Sequence, residues 1–405
     1  MLSADPAGVR GFVLRAARPG DEDAVAALTA QAFSSTAHRA GSAQAWADDA
    51  TVLRRVAERT DDGALLATAT LRLAGQGWGG ERVPAAALAG VAVDLTARGR
   101  GVGAALLADA FAAARAAGAV VLALIPSTHA FYRGSGCGIA GRRPVYAVPS
   151  YQLRALPRPA GRLVHRAATA GDAPAVAALV AARSARGNGG LDHDVEAGGA
   201  QFVSERAGRV VGWCALQRRP SARSLYTVVV HDLVAADAEA ELAIWRDLVA
   251  DEPSASEVHA LLPTGSLLEH HLPRQTDPVE DSTWMLGLLD VPAALAARGY
   301  PAGVAARVRF DVEGTATTLD VAGGTGRVLP TTDPTTDPTT DGTGAGVGGE
   351  VPVVRVSAAD LASVYAGHLD PVAAVHAGVL ATDPATARLL RTLFAGPPAV
   401  LDRPF

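Results

Sequence analysis

Along the chain, short apolar runs alternate with Ala- and Leu-rich segments of helical period, separated by loops of Gly, Asp and Arg. The clearest instance is 91–107, VAVDLTARGRGVGAALL. It reads as an apolar strand at Val91–Val93, a loop of form R-x-x-G-x-G, and an Ala/Leu helix reaching about residue 117. A further apolar strand is predicted over Val120–Ile125, then a short helix Thr128–Arg133 stopped by Gly134. The pattern also repeats: Arg15–Leu28 (RAARPGDEDAVAAL) and Arg166–Leu179 (RAATAGDAPAVAAL) agree at ten of fourteen positions, 151 residues apart. Each copy reads as a strand ending in Arg-Ala-Ala, a Gly-Asp helix cap and an Ala/Val/Leu helix. Two copies of one α/β domain are the simplest account.

The copies differ at the glycine loop. In the second, the corresponding stretch Leu225–Leu248 has an apolar strand (Tyr226–Val230) and an amphipathic helix (Glu241–Leu248). It has no glycine between them, and it carries Asp237 and Glu239. A phosphate would meet side chains and negative charge there, so the second copy reads as degenerate. Beyond residue 283, Trp284–Tyr300 reads as a strand and a helix begun at Asp290-Val-Pro. Strands Val304–Val312, Thr315–Val321 and Val351–Val356 follow, and then helices Ala358–Ala366, Pro371–Leu380 and Pro384–Phe394. The Thr/Asp/Pro/Gly stretch 331–349 is of low complexity and reads as a disordered-looking loop. The expected domains are 1–155, 160–283 and 284–405.

Composition narrows the picture only a little. A chain of 405 residues, 49% apolar, has material for two or three cores. No apolar run is long enough to span a membrane without a charge, and the first residues lack the basic and apolar regions of a signal peptide. With two cysteines, Cys137 and Cys214, this predicts a cytoplasmic protein with reduced thiols. The net charge of −5 disfavours nucleic acid as a partner and mildly favours a cationic one. Asp192-His193-Asp194 and His270-His271 share no ligand spacing with a third group, so no metal is expected.

The R-x-x-G-x-G loop carries the chemistry. Arg98, Gly101 and Gly103 set bare backbone N–H groups at a helix N-terminus, where a pyrophosphate is favoured. The spacing is neither the G-x-G-x-x-G of a dinucleotide fold nor a P-loop. It resembles the acyl-coenzyme A loop of the GCN5-related N-acetyltransferases. Together with Ser127-Thr128, FYRGSGCG (131–138) and STWMLGLLDVPAAL (282–295), the chain resembles the Eis (enhanced intracellular survival) family. Leu95 departs from that family's usual proline, and Cys137 from a position often aromatic.

The resemblance implies an α/β (α+β) architecture: tandem GCN5-related acetyltransferase domains, the second degenerate, and an α+β sterol-carrier-like C-terminal domain. It implies acetyl-CoA as co-substrate and homo-oligomers, hexamers in the relatives. The function implied is acetyl transfer to primary amines of polycations such as aminoglycosides, or to protein lysines. Val91, Ala92 and Val93 would pair with pantetheine as an added strand. Arg98, Gly99, Arg100, Gly101, Val102, Gly103 and Ala104 would hold the pyrophosphate. Ser127 and Thr128 either line the same channel or cap a helix.

Tyr132, where the family's proton donor falls, has an ordinary phenol pKa near 10 and can protonate a thiolate that titrates near 8.5. Its other reading is a packing aromatic, as for Phe131. The family's base is the terminal carboxylate, here of Phe405, on a Pro-rich tail that is either docked or loose. Phe33, Trp46, Asp48 and Asp49 lie where this fold builds its acceptor pocket; Asp48 and Asp49 are equally explained by a solvated helix face. A narrow metabolite or peptide N-acetyltransferase is the enzyme alternative. A lipid- or sterol-binding protein working through its C-terminal domain is the alternative of another class.

Overall fold

The computed structural model describes residues 11–33, 49–192, 199–250, 254–263, 265–330 and 351–402. Among these, twelve strands form one sheet: β1 (Phe12–Ala16), β2 (Val52–Arg59), β3 (Leu65–Trp78), β4 (Glu81–Val93), β5 (Val121–Leu124), β6 (Cys137–Pro149), β7 (Val164–Ala167), β8 (Ala200–Arg206), β9 (Arg209–Pro220), β10 (Tyr226–Ala235), β11 (Glu257–Leu261) and β12 (Pro278–Leu288). Their order is β1-β2-β3-β4-β5-β12-β6-β11-β10-β9-β8-β7. The two halves join at β6, which pairs with β12 along one edge and with β11 along the other. The architecture is therefore α/β, with two halves of like layout.

The repeated sequence has a repeated physical job. Arg15 donates to both carboxylate oxygens of Asp21, at 2.6 and 3.0 Å, and to Glu58. Arg166 does the same with Asp172, at 2.8 and 2.7 Å, and with Glu205. In both halves this bidentate pair ties the first strand to the start of the following helix. Asp21 also accepts from Arg18 N–H, and Asp172 from Thr169 N–H, closing the turn.

Helix Val102–Ala116 covers one face of the first half. Its Ala content favours helix, and Val102, Leu106, Leu107, Ala110 and Ala114 recur at helical spacing to form one buried stripe. The stripe packs on Ala67, Ala69, Leu71 and Leu88. The opposite face is covered by the C-terminal unit. That unit is a second sheet of order β15-β14-β13-β16, formed by β13 (Ala306–Val312), β14 (Thr315–Ala322), β15 (Thr325–Leu329) and β16 (Val353–Val356), with helices Val291–Ala297, Ala358–Tyr365, Pro371–His376 and Pro384–Leu393. The two packing surfaces meet closely: a β-carbon on Gly138 would lie 1.9 Å from the Ala359 carbonyl oxygen. Trp78 stacks near Trp284 at 6.2 Å and meets the edge of Tyr365 at 5.2 Å.

Inside the C-terminal unit, Arg298 is 2% exposed. Its guanidinium lies 4.6 Å from the Tyr365 ring, 4.8 Å from Phe394 and 5.3 Å from Tyr300, and it donates to the carbonyls of Tyr365 and Gly299. Three aromatic faces and two carbonyls offset part of the cost of burying the charge.

Candidate active site

β4 and β5 run parallel but pair only over Ala85–Leu88 against Val121–Leu124. Past Leu88 the β4 edge that faced β5 is open, while its other edge stays bonded to β3 as far as Ala67 opposite Val93. The parting coincides with a bulge. Thr70 opposes Ala89 and Thr68 opposes Ala92, so Gly90 and Val91 together face one residue of β3. Gly90 has φ +59°, which a bulge of this kind reserves for glycine. Val91 and Val93 are half-buried, with backbone groups on the open edge.

The loop after β4 is ordered by its own side chains. Asp94 accepts from the Thr96 N–H at 2.8 Å and from the Thr96 hydroxyl, capping a 3₁₀ turn Leu95–Ala97. That cap fixes the turn which begins at Leu95, where the resembled family has proline. Arg98 Nε reaches back to the Val93 carbonyl at 3.3 Å, and Arg98 and Arg100 are exposed. Gly99 (φ +74°) and Gly101 (φ +80°) turn the backbone into the helix Val102–Ala116. The first intrahelical bond runs from Ala105 N–H to Gly101, leaving the N–H groups of Val102, Gly103 and Ala104 without helical acceptors. A β-carbon on Gly99 would meet nothing within 4 Å, so that side of the loop is open. On Gly103 it would press on Phe131 and on Val93, each at 3.2 Å. This contact brings together the end of β4, the helix start and the segment carrying Tyr132.

That segment is the helix His129–Arg133, one residue shorter than expected because Thr128 is its N-cap. Thr128 makes no side-chain capping bond, and both Ser127 and Thr128 are exposed at the end of β5. Gly134 is the C-cap, but the left-handed turn falls at Gly136, φ +87°. Arg133 donates to Asp360 at 2.7 Å and His129 contacts Thr283, tying the helix to the C-terminal unit and to β12. Tyr132 is 6% exposed and edge-on to Phe131 at 5.1 Å, in the core shared with Leu106 and Cys137. Burial, with a smaller contribution from the Cys137 thiol, pushes the phenol up to about 12. Burial alone pushes Cys137 up to about 12, so that thiol is neutral.

The acceptor-side residues are more scattered. Phe33 ends the helix Glu22–Phe33 and is partly exposed. Asp49 accepts from the Thr51 hydroxyl at 2.6 Å and from its N–H at 2.9 Å, and lies 3.5 Å from Arg72. The Thr51 hydroxyl and N–H hold its carboxyl below the usual range. Trp46, Asp48 and Phe405 lie outside the described residues. The segment before Phe405 is pinned. The Arg143 Nε donates to the Leu401 carbonyl at 2.8 Å, and Asp402 pairs with Arg183 at 2.8 Å. Gly90, His129, Arg133, Thr283 and Asp360 escaped the sequence reading. For Gly90 a signal existed, since a lone glycine in an apolar strand marks a bulge.

The second half keeps the splay and fills the loop. β10 and β11 pair in parallel only over Val228–Val230 with Val258–Ala260, and β10 is irregular at His231. The next helix, Ala238–Ala243, continues into a π-helical turn Ile244–Val249. Asp237 caps it, accepting from Ala240 N–H at 2.9 Å, and Arg206 pairs with Asp237 at 2.7 Å and with Glu239 at 3.0 Å. Its own carboxylates occupy the place a phosphate would need.

Comparison with known proteins follows the same division. Residues 13–140 match the acetyltransferase (GNAT) domain family and residues 291–402 the sterol carrier protein domain family. No curated protein matches. Among solved structures, a GCN5-related N-acetyltransferase from Kribbella flavida is 28% identical, covering 97% of this chain and 98% of its own, with a TM-score of 0.79. One from Anabaena variabilis is 20% identical over 97% and 100%, TM-score 0.82. Eis1 from Mycobacterium abscessus is 22% identical over 97% and 100%, TM-score 0.72, and is similar in fold. The chain thus carries a GNAT acetyltransferase domain and a sterol-carrier-type domain.

Proposed function

We propose that the protein is an acetyl-CoA-dependent N-acetyltransferase of the Eis type, acting on primary amines of polycationic small molecules such as aminoglycosides, or of protein lysines. The observation that carries this reading is the open β4 edge at 89–93, which runs directly into a helix start with unpaired N–H groups. An extended amide chain ending in a pyrophosphate is the ligand class that uses both at once. The fold shared with Eis1 supports the type.

In this reading the backbone of Val91, Ala92 and Val93 pairs with the pantetheine amides. Val102, Gly103 and Ala104 donate N–H groups to the pyrophosphate, with Gly99 and Gly101 leaving room and Arg98 and Arg100 adding charge. Ser127 and Thr128 line the same channel. The amine nitrogen adds to the thioester carbonyl carbon, the ammonium proton passes to a base, and the carbon–sulfur bond breaks as the Tyr132 hydroxyl donates a hydrogen bond to the sulfur, the released thiolate taking its proton from solvent. We assign the base to the Phe405 carboxylate, carried on the segment pinned as far as Asp402. Phe33, Trp46, Asp48 and Asp49 border the acceptor side.

The test is free-thiol release from acetyl-CoA with aminoglycosides and lysine peptides, with mass spectrometry of each product. Several acetyl groups on one aminoglycoside are expected. A single acetylated peptide or metabolite would move the assignment to a narrow enzyme, and no thiol release with any amine would remove it.

A further inference from the structure

The parted strands β10 and β11 border a half-open cavity of about 390 Å³, within the roughly 300–1,000 Å³ of small-molecule pockets. Part of its wall is apolar, formed by Val230, Leu262 and Trp245. The rest is charged. Arg183 pairs with Asp232 at 2.6 Å and with Asp402 at 2.8 Å, so two carboxylates share one guanidinium. Glu241 is a third carboxyl on the same lining, one helical turn before the Trp245 indole, and burial pushes its pKa up. His231, the other titratable lining group, has its pKa lowered by burial and adds no charge at neutral pH. Three carboxyl groups thus share the lining with one guanidinium, and Arg186 acts on Glu241 from outside it. The helix start that would hold a phosphate is already taken by Asp237.

We infer that this second cleft binds a small ammonium ligand with an apolar body, the ammonium donating to Glu241 and the body lying against Trp245. Charge selects the ammonium, since an anion would add to a lining that already sets three carboxyl groups against one guanidinium. An aromatic ring beside the carboxyl favours the same class. Its lining shares no residue with the β4 edge or the glycine loop, and the inference does not rest on the function proposed for them.

The test is isothermal titration calorimetry of the full chain, without acetyl-CoA, using 2-phenylethylamine as probe. The neutral 2-phenylethanol and the anionic 3-phenylpropionate serve as charge controls. The amine is expected to bind at one site, with the alcohol and the acid weaker by about tenfold or more. Glu241→Gln, which removes the charge, and Leu267→Trp, which adds bulk to the cavity lining, should each weaken the amine by about tenfold at an unchanged melting temperature. No amine binding, equal binding of the three probes, or undiminished affinity in either folded variant overturns the inference. Should Glu241→Gln not fold, Leu267→Trp and the charge series decide.

Discussion

A phenol held at about 12 is a good hydrogen-bond donor and a reluctant acid. Against a thiol that ordinarily titrates near 8.5, complete proton transfer from Tyr132 is uphill, whereas hydrogen bonding to the departing sulfur is not. The role that fits the burial is therefore a donor present throughout the working pH range. Tyr132→Phe should lower kcat by about a hundredfold while leaving the KM for acetyl-CoA within about twofold, read by steady-state thiol release. The pH dependence follows from the sign. The protonated form is the donor, so its contribution is complete at low pH and is lost only as pH rises towards 12. Up to about pH 10 the profile should show no alkaline limb from this residue; a fall in kcat near pH 8.5 that vanishes in Tyr132→Phe would contradict the assignment. The tyrosine was legible in the sequence through its motif. Its burial beside Cys137 was not, because that depends on a helix and a strand packing across a sheet.

Elements carry the site's shape. The strand, the glycine loop and the helix at 91–116 were legible because local signals agree: an apolar run, then glycines, then alanines at helical spacing. The opening that makes them useful was not, since it depends on where β5 stops pairing and on the bulge at Gly90. Gly101→Ala tests the loop. At φ +80° the new β-carbon costs about 1 kcal/mol of backbone strain. It also stands beside the free N–H groups, so coenzyme A affinity should fall by about tenfold in a titration while the melting temperature changes little. The repeated Arg–Asp pair has a different reach. Arg166, together with Thr169, holds the Asp172 carboxyl far below the usual carboxylate range. A depressed folded-state pKa gives stability that is present above the unfolded value, about 4, and is lost as pH falls below it. Asp172→Asn should therefore melt below the parent at neutral pH, with the gap narrowing towards about pH 3 in scanning calorimetry. A gap independent of pH would mean the pair contributes through shape alone.

The whole molecule depends on contacts that sequence patterning cannot reach. β12, from after the second half, lies between β5 and β6 of the first, and the C-terminal unit closes the opposite face. Such long-range pairings leave no local trace beyond the apolar run itself. The glycines that permit them are the nearest signal, and they are legible only once the partner is known. In the sterol-carrier-type unit, Arg298, Tyr300, Tyr365 and Phe394 fill the interior, which suits a brace against the sheet. Arg298→Ala would leave a void and two carbonyls without their donor, at a cost of about 3 kcal/mol or more, seen as a lowered first melting transition. The tail gives the sharper test of how the parts cooperate. A β-carbon on Gly141 would lie 2.3 Å from the Ala399 carbonyl oxygen, on the tail, and 2.6 Å from the Trp284 Nε1, a fixed feature of the sheet face. The element able to yield is the tail, an irregular segment held by hydrogen bonds to Arg143, Asn188, Leu191 and Trp284 and by the Arg183 ion pair. Gly141→Ala should thus displace Ala399–Asp402, and with them the Phe405 carboxylate, while the β4 edge and the glycine loop stay in place. Coenzyme A should bind as before and kcat should fall by about tenfold or more. With Phe405 as the proposed base, weaker amines of lower pKa, largely neutral without it, should lose less rate than lysine-like amines. An equal loss across the series would assign the tail a positioning role and place the base elsewhere.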